Sequence, residues 1–176
     1  MARSITTLLS LAAVSAGVTG FALAASDRYA AQVPDGIAFA EFRGYETWQV
    51  VSLSLARDTF AAILGNPAMI RAYEAGIPGN GQAFPDGARM AKIHWKARQS
   101  PDAPDPTMVP GALHDIDFMV KDRSRFAATG GWGYAQFNYD PATESFVPEG
   151  RGAACGAACH ELAATKDYVF TAYPRR

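Results

Sequence analysis

Residues 88–97 read Ala88-Arg89-Met90-Ala91-Lys92-Ile93-His94-Trp95-Lys96-Ala97, and the alternation of their side chains decides the fold. An extended backbone sends successive side chains to opposite faces. Met90, Lys92, His94 and Lys96 therefore share one face of a strand, and Ala91, Ile93 and Trp95 the other. The turn Phe84-Pro85-Asp86-Gly87 brings the chain into this strand, with proline and glycine supplying the dihedrals that a tight reversal needs.

The flanking sequence repeats the pattern. Leu113 to Lys121 offers a second apolar strand, and the closing half of Tyr45 to Leu55 alternates apolar and polar residues like a third. Asn66 and Pro67 are a cap and first-turn residue for a short helix running to Ala75, which Gly76 and Pro78-Gly79-Asn80 end. A loop rich in proline and aspartate covers Ser100 to Pro110, and Asp122 to Phe126 suits a single helical turn. Gly130-Gly131-Trp132-Gly133-Tyr134 leads into a short aromatic strand, Ala135 to Tyr139, closed by Asp140-Pro141. The expected architecture is α+β, mainly antiparallel sheet with a few packed helices, in a single domain.

At the amino terminus Arg3 precedes an apolar stretch from Ile5 to Leu23 that ends in Ala22-Leu23-Ala24. A positive start, an apolar run and a small-x-small site describe a secretory signal peptide over residues 1–24, cut before Ala25. Ser10, Ser15, Gly17, Thr19 and Gly20 interrupt the run, which argues against the alternative of a membrane anchor. The expected mature domain is residues 25–176, in the periplasm, with no span left after cleavage. Lys plus Arg total 16 against 17 for Asp plus Glu. That balance, with no basic block, gives no reason to expect nucleic acid as a partner.

The two cysteines are Cys155 and Cys159, followed at once by His160. A single close pair in an exported protein is ordinarily read as a disulfide. Two thiols followed by histidine also supply what haem c needs: two thioether bonds to its vinyl groups and one iron ligand. The spacing is C-x-x-x-C-H, one residue longer than the common C-x-x-C-H. Gly156, Ala157 and Ala158 are small enough for a loop there to run close to a flat macrocycle, Gly156 with its wider choice of dihedrals. Haem attachment is the favoured reading; a strained local disulfide or free thiols are the alternatives.

Several pieces in order carry a resemblance: Tyr45 and Trp48 in Tyr-x-x-Trp, Phe84 to Gly87, a lysine-bearing strand, Gly130 to Tyr134, the haem motif, and Lys166-Asp167-Tyr168-Val169-Phe170-Thr171-Ala172-Tyr173-Pro174. Together they resemble the cytochrome P-460 family, including the related c-prime-beta cytochromes, over nearly the whole mature chain. The resemblance implies an antiparallel sheet domain, commonly a homodimer, with one five-coordinate haem c and a proximal histidine. It implies oxidation of hydroxylamine to nitrous oxide or nitrite, with a soluble electron-transfer protein as partner. In the c-prime-beta branch it implies nitric oxide binding without established turnover. A simple electron carrier is the third class.

The family's enzymes also bond a lysine to the haem edge. The matching strand offers Lys92 first and Lys96 second. For the proton acceptor on the open face of the iron, Asp140 and Glu144 are the expected residues, because hydroxylamine loses protons as its electrons leave. His94 is a candidate for the distal pocket or a sixth ligand, and Met69, Met90, Met108 and Met119 are candidate sulfur ligands, each also suited to core packing. His114 beside Asp115 and Asp117 has the residue types of an accidental metal site or of a solvated strand edge. Phe84, Trp132, Tyr134 and Phe137 are candidates to wall the haem.

Overall fold

The computed structural model describes residues 27–34, 37–149 and 152–175. The leader expected at 1–24 lies outside the described residues. The backbone forms one antiparallel meander of six strands in sequential order: β1 (Gln49–Ala56), β2 (Thr59–Gly65), β3 (Arg89–Gln99), β4 (Met108–Lys121), β5 (Trp132–Asp140) and β6 (Ser145–Pro148). Among the described residues two α-helices accompany them, α1 (Pro67–Glu74) and α2 (Gly152–His160). The α+β reading with a dominant antiparallel sheet holds. No helix among the described residues is long and apolar enough to cross a membrane.

The alternation in β3 divides the core in two. Ala91 and Ile93 face a layer built from Phe39, Phe42, Tyr45, Phe118 and Phe137. There Phe42 stacks on Phe118 at 4.0 Å and Phe39 meets Phe118 and Phe137 edge-on, arrangements that the ring quadrupole favours. Met90 faces the other layer with Met69, Phe84, Met119, Trp132, Tyr134 and Val169. Both sides of the central strands are thus covered, and β1 at the edge is exposed at Leu53 and Leu55.

Asn66 explains how α1 is fixed to the sheet. Its side-chain oxygen accepts from the Met69 amide at 2.9 Å and from the Arg89 amide at 3.1 Å, while its nitrogen donates to the Gly87 carbonyl at 2.8 Å. One side chain therefore caps the helix and pins the start of β3.

The structure departs from the sequence expectations in four elements. β2 and β6 lie outside the expected strands, and β4 starts at Met108, inside the segment read as a loop. The haem motif lies on a helix instead of a loop. Gly156 is not needed there for unusual dihedrals. Its role is proximity: a Cβ on Gly156 would lie 2.6 Å from the Tyr134 Cβ, so hydrogen at that position lets α2 rest directly on β5. Gly156→Ala is expected to push the helix off the strand and cost about 1–3 kcal/mol, the usual penalty for overpacking, read as a lower denaturation midpoint in urea.

Candidate functional site

The sheet face that carries Met90 and Lys92 is roofed by α2 and by the segment after it, and between them lies a cavity of about 280 Å³. Each central strand contributes to its floor: Ile63 from β2, Met90 and Lys92 from β3, Asp117 and Met119 from β4, Tyr134 and Gln136 from β5. The roof brings Cys155, Gly156, Cys159 and His160 from α2 and Val169 and Phe170 from the tail. The helix turns the four-residue separation of the cysteines into adjacency, since positions i and i+4 share a face one turn apart. Both thiols are free.

His160 ends α2 between the rings of Tyr134 and Phe170, with centroids 4.9 and 5.0 Å away. Its Nδ1 lies 2.6 Å from the backbone carbonyl of Tyr168. A carbonyl only accepts, so Nδ1 carries the hydrogen and Nε2 keeps its lone pair. Burial holds the imidazole pKa below its usual value, and the charge of Lys92 lowers it further, against the opposing pull of the Tyr168 carbonyl. A neutral imidazole with a fixed tautomer is the form that binds a metal.

The Tyr168 carbonyl is aimed by an unusual backbone. Asp167 and Tyr168 both adopt left-handed dihedrals, with φ of 49° and 64°, which cost non-glycine residues about 1–3 kcal/mol each and persist only where their surroundings enforce them. Here the Asp167 carboxylate accepts from the Lys121 ammonium at 2.7 Å and from the Phe84 amide at 2.8 Å. Lys121 is only 2 % exposed, donates also to the Gly130 carbonyl at 2.9 Å and lies over the Trp132 ring. The Tyr168 amide donates to the Ala163 carbonyl at 2.9 Å, and the Tyr168 ring covers Gly130, where a Cβ would stand 2.2 Å from a ring atom. Lys121 and Asp167 were not singled out as site residues from the sequence. A lysine at the end of an apolar strand run and an aspartate inside the tail motif were the available signals.

Lys92 and Lys96 part company. Lys92 lines the cavity, whereas Lys96 is half exposed and pairs with Asp58 at 3.2 Å. Asp140 and Glu144 are not among the residues that line it. They occupy the turn between β5 and β6, where Asp140 accepts from the Ala142 amide and the Thr143 hydroxyl and Glu144 takes a left-handed turn conformation. The carboxylates that line the cavity are Asp117, opposite Lys92 in the β3–β4 register, and Glu149, whose amide donates to the Gln136 carbonyl at 2.9 Å. Burial raises the Asp117 carboxyl to about 6, the negative charge of Asp115 adding to the effect and the nearby His94 and Lys92 opposing it.

Among the candidate sulfurs, Met90 and Met119 line the cavity, Met69 is a buried residue of α1 and Met108 is exposed. Tyr134 walls the cavity, Phe84 and Trp132 pack in the layer beside it, and Phe137 faces the opposite layer. His94 and His114 meet at Asp115.

The sequence pattern of the cytochrome P-460 family matches residues 42–171. The chain belongs to this family. A comparison with curated proteins gives no match. Membership in this cytochrome family implies a haem group and a redox role, and the donor set suits one: an imidazole with its Nδ1 already engaged, two thiols beside it, and mostly apolar walls. The remaining residues of the cavity, Lys92, Asp117 and Glu149, differ from the walls in carrying charge.

The Lys121–Asp167 pair supplies a direct test of how the roof is held. Removing one partner of a buried pair leaves the other charge uncompensated, so Asp167→Ala is expected to destabilise the fold by about 3–5 kcal/mol. Guanidinium denaturation followed by circular dichroism measures it, and a loss below about 1 kcal/mol counts against the role of the pair as a clamp.

Proposed function

We propose that this chain is an exported mono-haem c cytochrome that oxidises hydroxylamine, to nitrous oxide or nitrite, and passes electrons singly to a soluble electron-transfer protein. The observation that carries this reading is the charged trio of Lys92, Asp117 and Glu149 in a mostly apolar cavity that also holds Cys155, Cys159 and His160. Haem c bound there would supply the redox iron at which the substrate nitrogen is held and oxidised. Cys155 and Cys159 would tether it through thioethers, and His160 would ligate the iron through Nε2.

Lys92 is the residue proposed to bond to the macrocycle edge, since it lines the cavity and Lys96 is engaged at the surface with Asp58. Asp117 and Glu149 replace Asp140 and Glu144 as the proposed proton acceptors. A carboxylate whose pKa lies near 6 is ionised at neutral pH yet basic enough to take protons from a substrate losing electrons. The apolar lining from Ile63, Met90, Met119 and Val169 supports a second reading, a nitric oxide-binding protein of the c-prime-beta kind without turnover. Both readings place the mature protein in the periplasm after removal of residues 1–24, as a homodimer.

Intact mass and an optical spectrum of protein from a haem-c-competent host test the assignment together. The expected mass is that of residues 25–176 plus one haem, and a band shifted far to the red is expected to vanish in Lys92→Arg and to survive in Lys96→Arg. An ordinary high-spin spectrum would favour the nitric oxide reading, and protein without covalent haem would overturn both.

The pH dependence follows from the direction of the Asp117 shift. A base works only when deprotonated, so hydroxylamine oxidation is expected to rise with pH through about 6. Asp117→Asn should lower the rate about 10²–10⁴-fold and remove that limb of the profile. A profile unchanged in the variant would show that Asp117 takes no proton.

A further inference from the structure

Beside the cavity, on the same sheet face, lies a second cluster of ligand-type side chains: His94 on β3 and His114, Asp115 and Asp117 on β4. In the strand register His94 stands opposite Asp115 and Trp95 opposite Leu113, so His114 is the extra residue of a β-bulge. A bulge re-aims a side chain that regular alternation would send to the far face. His114 Nδ1 reaches Asp115 Oδ2 as a result. His94 Nδ1 lies 2.5 Å from Asp115 Oδ1 and 3.8 Å from Asp117 Oδ2.

We propose that His94, Asp115 and Asp117 form a binding site for a divalent transition-metal ion of the zinc type, with His114 as its outer support. This goes beyond the haem assignment and does not rest on it. The donor atoms of these three residues lie within 4.8 Å of one another. Donors bound tetrahedrally at about 2.0–2.2 Å from zinc stand roughly 3.3–3.6 Å apart. The 2.5 and 3.8 Å separations bracket that value, and side-chain shifts of about an ångström would close the shell.

The electrostatics favour a cation at that point. Two carboxylates converge on one ring nitrogen, and a single Nδ1 hydrogen cannot serve both of them well. Like charges held together raise the cost of ionising the second. Asp115 is 7 % exposed and His94 13 % at the side chain, so water compensates little for either. A divalent ion would neutralise both carboxylates at once.

One imidazole and two carboxylates suit zinc, cobalt or manganese better than calcium or magnesium, which take oxygen donors in larger number. The remaining Asp115 oxygen is already engaged by His114, the outer contact that ligating carboxylates commonly have. Three protein ligands leave a fourth position for water. Because Asp117 also lines the haem cavity, the ion would sit at its margin and would compete with a proton for the Asp117 carboxylate, so the base role of Asp117 belongs to the metal-free protein.

Calorimetric titration of chelator-treated holoprotein with zinc tests the site, with cobalt absorption reporting coordination. One ion per chain is expected, with the intense visible bands of a tetrahedral cobalt site. Affinity should fall at least 100-fold in His94→Ala and Asp115→Asn, and about 10–100-fold in His114→Ala, the loss usual for an outer-shell contact. His114 is half exposed, so its variant is the one expected to keep the fold, checked by circular dichroism. The same titration on Cys155→Ser/Cys159→Ser protein separates this site from zinc captured by the thiols, and it remains interpretable where haem attachment fails. Absence of one-to-one binding, an affinity unchanged in His114→Ala, or binding that disappears with the cysteines would overturn the proposal.

Discussion

Lys121 stands at the end of β4 with its ammonium buried against the Asp167 carboxylate, and the geometry of the roof depends on that contact. The pair joins the last residue of a central strand to the tail that follows α2. Without it, the left-handed residues Asp167 and Tyr168 would keep the Phe84 amide, the Ala163 carbonyl and the packing on Gly130, but would lose their tie to β4, and the aim of the Tyr168 carbonyl at His160 would loosen. A buried ion pair is weak evidence of net stability, because desolvation offsets most of the attraction. Its value here is geometric: Lys121 also holds the Gly130 carbonyl and Asp167 also holds the Phe84 amide, so three separate chain segments are fixed around the tail.

The division of the sheet into two faces explains why the charged trio survives among apolar walls. The layer of Phe39, Phe42, Phe118 and Phe137 is fully packed and buried, and it can carry the bulk of the hydrophobic stabilisation. The opposite face is then free to be hollow over part of its area. Strand alternation places Lys92 two residues from Met90, and Asp117 two residues from Met119. Each charged residue thus points into the same space as a core methionine.

Much of this was legible in β3, where alternation assigned Lys92 to the face of Met90 and away from Ala91 and Ile93. β2 was not legible for a physical reason. Phe60-Ala61-Ala62-Ile63-Leu64 lies between β1 and β3 and is largely covered on both sides, so it has no polar face to alternate with. α2 was hidden for another: Gly152 to Cys159 is uniformly small, and a helix made of glycine, alanine and cysteine carries no amphipathic period. Asp140 and Glu144 stand close to the haem motif in sequence but are not among the residues that line the cavity. Asp140 and Glu144 belong to the β5–β6 turn, and a turn aspartate spends its oxygens on local amides and hydroxyls. Asp117 shares a face with Asp115 and Met119 on β4, and cross-strand pairing with Lys92 could have been inferred from the antiparallel register alone.

Asp117 carries the most consequential position in the molecule because it belongs to two neighbourhoods. Toward the cavity it stands across from Lys92. Toward the bulge it shares the His94 nitrogen with Asp115. A carboxylate can hold a proton, pair with an ammonium or bind a cation, and each of these states changes the charge that the cavity presents beneath His160. The bulge at His114 makes this coupling a product of backbone geometry, since a regular β4 would have sent that imidazole to the packed aromatic face. The charge of the cavity is therefore set partly by His94 and Asp115, which do not line it.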